Sequence, residues 1–139
     1  MSNPPSPVDN RLLAALPTLA AAATYTVTSA NDSGTNTLRW AIQQANANAG
    51  ADSIVFNIGG GGGRNIALAT ALPALTGPAS IDATTQPGYA GSPLIQLDGL
   101  NAGAGAIGLQ LSTSGSSIRG FSVMRLDWPT KSSSPIGDT

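Results

Sequence analysis

Residues 24–58 read TYTVTSANDSGTNTLRWAIQQANANAGADSIVFNI, and the apolar period changes twice along them. Thr24 to Thr28 alternate, with Tyr25 and Val27 on one face, which predicts a strand. A turn is predicted at Asn31-Asp32-Ser33-Gly34. Leu38, Ala41, Ile42 and Ala45 then fall at i, i+3, i+4 and i+7, one apolar stripe of a helix. Asn36 or Thr37 is suited to cap its start, and Gly50 to close its end in the left-handed conformation. Ile54, Phe56 and Ile58 return to the two-residue period of a strand.

Downstream, short alternating runs continue. Ile66 and Leu68, then Ile95 and Leu97, then Ile107, Leu109 and Leu111 each suggest a strand, and Ile118, Phe121 and Val123 close the series. Ile81, between Ala79 and Ala83, is a weaker run. Turn residues fill the gaps, including Gly59 to Gly63, Thr76-Gly77-Pro78, Gln86-Pro87-Gly88, Asp98-Gly99 and Ser114-Gly115. Short strands at this spacing are compatible with a sandwich, a barrel or a solenoid, and periodicity alone does not choose.

Composition narrows the classes. In 139 residues there is room for one domain with a modest core. Charged residues make up 9%, against about 25% in an average soluble domain. A formal charge of −1 leaves no electrostatic footprint for nucleic acid or an anionic membrane. With 41% hydrophobic residues the chain is not of disordered composition. Cys and His are both absent, which removes disulfides, thiolate metal sites and the commonest general base.

The chain divides into a lead, 1–23, a body, 24–124, and a tail, 125–139. The lead carries Pro4, Pro5 and Pro7, then Arg11 and an apolar run from Leu12 to Ala23. That run reads either as a weak secretory signal with an Ala-x-Ala-like exit, or as a short segment packed on the body. It is too short to span a bilayer. The tail loses all alternation.

The 24–58 segment resembles the N-terminal cap of right-handed β-helix repeat proteins, a large group of exported bacterial proteins. The resemblance rests on Asn31 to Gly34, Thr37-Leu38-Arg39, Ala45 to Asn48 and Ala51 to Phe56. The later stretch ALPALTGPASIDATTQPGYAGSPLIQLDG, residues 71–99, resembles the early turns of the same group. The resemblance implies an all-β fold: a short right-handed parallel β-helix (a β-solenoid) with three strands per turn and one N-terminal capping α-helix. Leu38, Arg39, Ala41, Ile42 and Ala45 would form that structural cap, with Arg39 tethering the helix to turn carbonyls or to Asp32.

Several patterns suggest chemistry. Gly103-Ala104-Gly105-Ala106-Ile107-Gly108 satisfies G-x-G-x-x-G, but no helix is predicted after it to aim at a pyrophosphate. Gly59 to Gly63 lack the Lys-Ser/Thr of a phosphate loop. Asp82 and Asp98 are the candidates for a carboxylate pair acting on a sugar, or for calcium; the favoured reading is structural, with Asp98-Gly99 an ordinary turn pair and Asp82 bonding a nearby backbone N–H. Asn31-Asp32-Ser33 fits the N-glycosylation pattern but belongs to the turn. No catalytic, cofactor-binding or metal-binding residue is assigned, and no cofactor is expected.

The reading that follows is a non-catalytic structural module of a secreted or cell-surface, adhesin-like bacterial protein. The alternatives are a subunit that stacks head-to-tail into an extracellular filament and a fragment of a polysaccharide-acting enzyme. Self-association would use Leu12, Leu13, Leu16, Leu19 and Trp128 as its surface. A polysaccharide is the other partner class; nucleic acid and a membrane span are not expected.

Overall fold

A computed structural model describes residues 21–106, 108–112 and 114–125. The lead is therefore described only from Ala21 and the tail only at Arg125, so the surface suggested for self-association lies outside the described residues. The elements, in order, are β1 (Thr24–Val27), α1 (Leu38–Ala47), β2 (Asp52–Phe56), β3 (Arg64–Ala67), β4 (Ala79–Asp82), a 3-10 turn (Ala83–Thr85), β5 (Ile95–Asp98), β6 (Ser117–Arg119) and β7 (Phe121–Met124).

The strands lie in two separate sheets, one ordered β1-β2-β4-β6 and the other β3-β5-β7, with every neighbouring pair parallel. From β2 onward the chain enters the two sheets alternately. This corrects the all-β, three-strands-per-turn solenoid that the resemblance implied: the architecture is two small parallel sheets and one helix. Among the described residues no third sheet forms; outside the named strands, Leu75 and Leu111 make one isolated parallel bridge. Pro73 and Pro78 flank Leu75 and have no N–H to give to a ladder, which limits pairing there. The strand expected over Ile107, Leu109 and Leu111 is reduced to that bridge, with Ile107 itself outside the described residues.

The run Ile118–Val123 is split as well. Gly120, at φ 86°, turns the chain so that β6 joins one sheet and β7 the other. A Cβ there would stand 2.7 Å from the Thr84 backbone nitrogen, so both the conformation and the space require glycine.

Register stacks like on like. Tyr25, Ile54, Ile81 and Ile118 are in line across the first sheet, and Ile66, Leu97 and Val123 across the second. Phe56 and Phe121 join the two sheets edge-to-face. The helix adds Leu38, Ala41, Ile42 and Ala45 to the same buried cluster. Each fully buried Leu, Ile or Phe contributes about 1.5–3 kcal/mol by leaving water.

The helix begins where Thr37 Oγ1 accepts from the Trp40 N–H at 3.2 Å and donates to the Gly34 carbonyl at 2.7 Å. Its C-terminal end is not closed by Gly50. Asn48, in an extended conformation, donates its N–H to Gln44 and Ala45 carbonyls, and Gly50 is not left-handed. Gly50 serves close packing instead: a Cβ on it would run into the backbone carbonyl of Ala21.

Candidate functional site

Four carboxylates fall within the described residues: Asp32, Asp52, Asp82 and Asp98. Their surroundings decide what chemistry is open to them.

Asp82, at the end of β4, caps the 3-10 turn by accepting from the Thr84 N–H at 2.9 Å, and the Thr84 hydroxyl donates to the same oxygen. Arg119, its register partner on β6, places Nε 3.1 Å from that oxygen. Burial pushes the Asp82 carboxyl up, but the Thr84 hydroxyl, Arg119 and the Thr84 N–H outweigh it and hold it below the ordinary value.

Asp98 ends β5 in the other sheet. Arg125 engages it with two bonds, Nε to Oδ1 at 3.0 Å and Nη2 to Oδ2 at 2.6 Å, and the Leu100 N–H adds a third at 2.9 Å. The Arg125 hydrogen bond is the main reason its carboxyl also lies below the ordinary value. Asp82 and Asp98 are thus not a pair: they sit on different sheets, each held by its own arginine. A sugar-cleaving acid needs a carboxyl raised enough to carry a proton at working pH, and both are moved the other way.

Asp32 and Arg39 form a joint between the first turn and the segment after β3. Arg39 Nη2 lies 2.8 Å from Asp32 Oδ1, its Nε donates to the Asp32 carbonyl, and Nη1 and Nη2 reach the carbonyls of Ala71 and Thr70. Asp32 Oδ1 also accepts from the Ala69 N–H at 2.9 Å. Burial raises the Asp32 carboxyl, and the Ala69 N–H and Arg39 bring it below the ordinary value.

The glycine loop offers no phosphate cradle. Gly61 and Gly62 already give their N–H groups to the carbonyls of Ile58 and Pro87, and Arg64 turns back onto the carbonyls of Gly59 and Gly63. Around Gly103 the chain makes turns, and no helix follows among the described residues, so no dipole points at a pyrophosphate. No group of three His, Cys, Asp or Glu side chains able to hold a metal occurs among the described residues. Nor is any helix of the described residues long and apolar enough to cross a membrane.

Sequence reasoning passed over two polar side chains. Gln86 is buried and satisfies three backbone groups: its Oε1 accepts from the Ile58 N–H at 2.8 Å, and its Nε2 donates to the carbonyls of Ile58 and Gly62. It fixes the glycine loop to the chain after β4. Asp52 is the other. It is 3% exposed, with Oδ1 accepting from the Ala23 N–H at 3.0 Å and from Asn48 Nδ2 at 2.6 Å. Its Oδ2 is buried and has no hydrogen-bond partner among the described residues. The signal was parity: Asp52 shares the inward face with Ile54 and Phe56.

No family model matches the chain, and no curated protein matches it.

Proposed function

We propose that this chain is a non-catalytic structural module of an exported or cell-surface protein, adhesin-like in its role. The observation that carries the reading is the state of Asp32, Asp82 and Asp98. Each is tied to an arginine and lowered below the ordinary carboxylate value, so each joins segments and is ionised at neutral pH, where it cannot serve as a general acid. The low charge and abundance of small residues suit a surface built of short strands and turns. The test is twofold: labelling of intact bacterial cells that express the chain, and assay of the purified protein on acidic polysaccharides with and without calcium. Surface labelling without product release supports the reading; product release that disappears in Asp82→Asn overturns it.

A second reading, a self-associating extracellular subunit, draws on β6 and β7. They are the outermost strands of their sheets, and Ile118, Phe121 and Val123 are only partly buried. Outer strands with open hydrogen-bonding edges beside apolar side chains recruit further strands. Sedimentation across a concentration series tests it, and a strict monomer at all concentrations ends it.

A further inference from the structure

We propose that the Ala22–Ala23 bond is a processing site, and that the amino group freed on Ala23 forms an ion pair with the buried carboxylate of Asp52. The inference rests on the reading of the chain as exported. A leader peptidase would add one water across the bond before the strand Thr24–Val27 has paired. Ala22 leaves as a carboxylate with the leader, and the Ala23 nitrogen takes up a proton to become an ammonium.

Two independent observations meet at this bond. The first is in the sequence. Arg11 precedes an apolar run, and Ala20 and Ala22 put small residues at the third and first positions before the bond, as export peptidases require. The second is in the fold. The Ala23 nitrogen already stands 3.0 Å from Asp52 Oδ1, while Asp52 Oδ2 is buried without a partner among the described residues. A buried carboxylate with an empty oxygen is rare and costly, since nearly all such groups find a donor.

In the uncut chain the Ala23 nitrogen has one hydrogen, and it is used on Oδ1. An ammonium at the same place has three and a charge, enough to reach both carboxylate oxygens. Its position is held by the Ala23 carbonyl, which accepts from the Ser53 N–H at 2.8 Å as β1 pairs with β2. Cutting gives up the bond from Asn48 Nδ2 to the Ala21 carbonyl, but Asn48 keeps its shorter bond to Asp52 Oδ1 at 2.6 Å.

The experiment has two arms, both on the full chain. In the first, the chain is expressed in a bacterium and the N-terminus of the exported protein is determined by mass; Ala23 is expected. In the second, a recognition sequence for a site-specific protease is inserted directly before Ala23, and thermal unfolding is followed before and after cutting. The midpoint is expected to rise by about 5 °C on cutting. A second version, cut one residue earlier so that the amine sits on Ala22, should show no rise, and neither should Asp52→Asn. The Ala22 version keeps the comparison intact if Asp52→Asn fails to fold. Exported protein with any other N-terminus overturns the processing site while leaving the exported reading in place; uncut chain retained in the cell overturns both. Equal midpoints before and after cutting at Ala23 overturn the ion pair.

Discussion

The guanidinium of Arg39, on the first turn of the helix, holds the carboxylate of Asp32 at 2.8 Å, and the same carboxylate oxygen binds the Ala69 N–H across the chain. The first turn and the helix start, seven residues apart, thus meet the segment after β3, 37 residues on from Asp32, at one oxygen. Both side chains are largely shielded from water, at 14% and 25% exposure, so this pair differs from an ordinary surface ion pair. Arg39→Ala leaves Asp32 without its cation and the carbonyls of Thr70 and Ala71 without their donor. A loss of about 2 kcal/mol is expected in urea unfolding. Arg39→Lys should recover only part of it, because a single ammonium cannot reproduce the planar fork of four bonds.

The pH dependence of stability follows from the same pairs. Asp32, Asp82 and Asp98 all have folded-state carboxyls below their ordinary value. A lowered carboxyl contributes stability that is present above the unfolded value, about 3.9, and is lost as pH falls through the folded value. The unfolding midpoint should therefore hold from neutral pH to about pH 5 and fall steeply below about pH 4. With no His in the chain, no side chain of ordinary behaviour titrates between pH 5 and 7. Thermal melts from pH 7 to pH 2 read this directly, and a loss centred near pH 6 would contradict it.

Gly120 separates conformation from space. Its φ is 86° and a Cβ would meet the Thr84 backbone, whereas Gly115 has φ 82° with nothing within 4 Å. Gly115→Ala should cost about 1 kcal/mol, the conformational strain alone. Gly120→Ala must also push apart the 3-10 turn and the β6–β7 corner, and should cost at least twice as much. Equal losses in urea unfolding would mean that the corner does not pack on Thr84.

How much of this was legible in the sequence varies with the range of the interaction. The helix was, because Leu38, Ala41, Ile42 and Ala45 carry their period within three turns, and all four are buried. Gly50 was misread because glycine serves two ends, left-handed φ and close approach, and the approaching atom, the Ala21 carbonyl, is remote in the chain. The division into two sheets was illegible for a related reason. Alternation tells which face of a strand is apolar, not which sheet the strand joins, so Ile118 and Phe121 look like one strand until Gly120 turns the chain. Partners such as Asp82 and Arg119 share a register position, which only the folded pairing of β4 with β6 supplies. Asp52 is not singled out from the sequence, although its parity with Ile54 and Phe56 places it on the inward face of β2.

The row Tyr25, Ile54, Ile81, Ile118 gives the last prediction, because one side-chain type occupies an inner and an outer place in it. Ile81 is fully buried between β2 and β6; Ile118, on the outermost strand, is partly exposed. Ile81→Ala opens a cavity with neighbours on both sides and should cost about 2–5 kcal/mol. Ile118→Ala removes a side chain covered on one side only, and should cost roughly half as much or less. The same comparison tests self-association. If β6 pairs with another copy, Ile118 becomes covered in the assembly, and Ile118→Lys should abolish any concentration dependence in sedimentation while leaving the monomer folded. A lysine at Ile81 would instead bury an unpaired charge and unfold the protein. Ile118→Lys that unfolds the chain as Ile81→Lys does would show that the outer strand is already covered within one molecule.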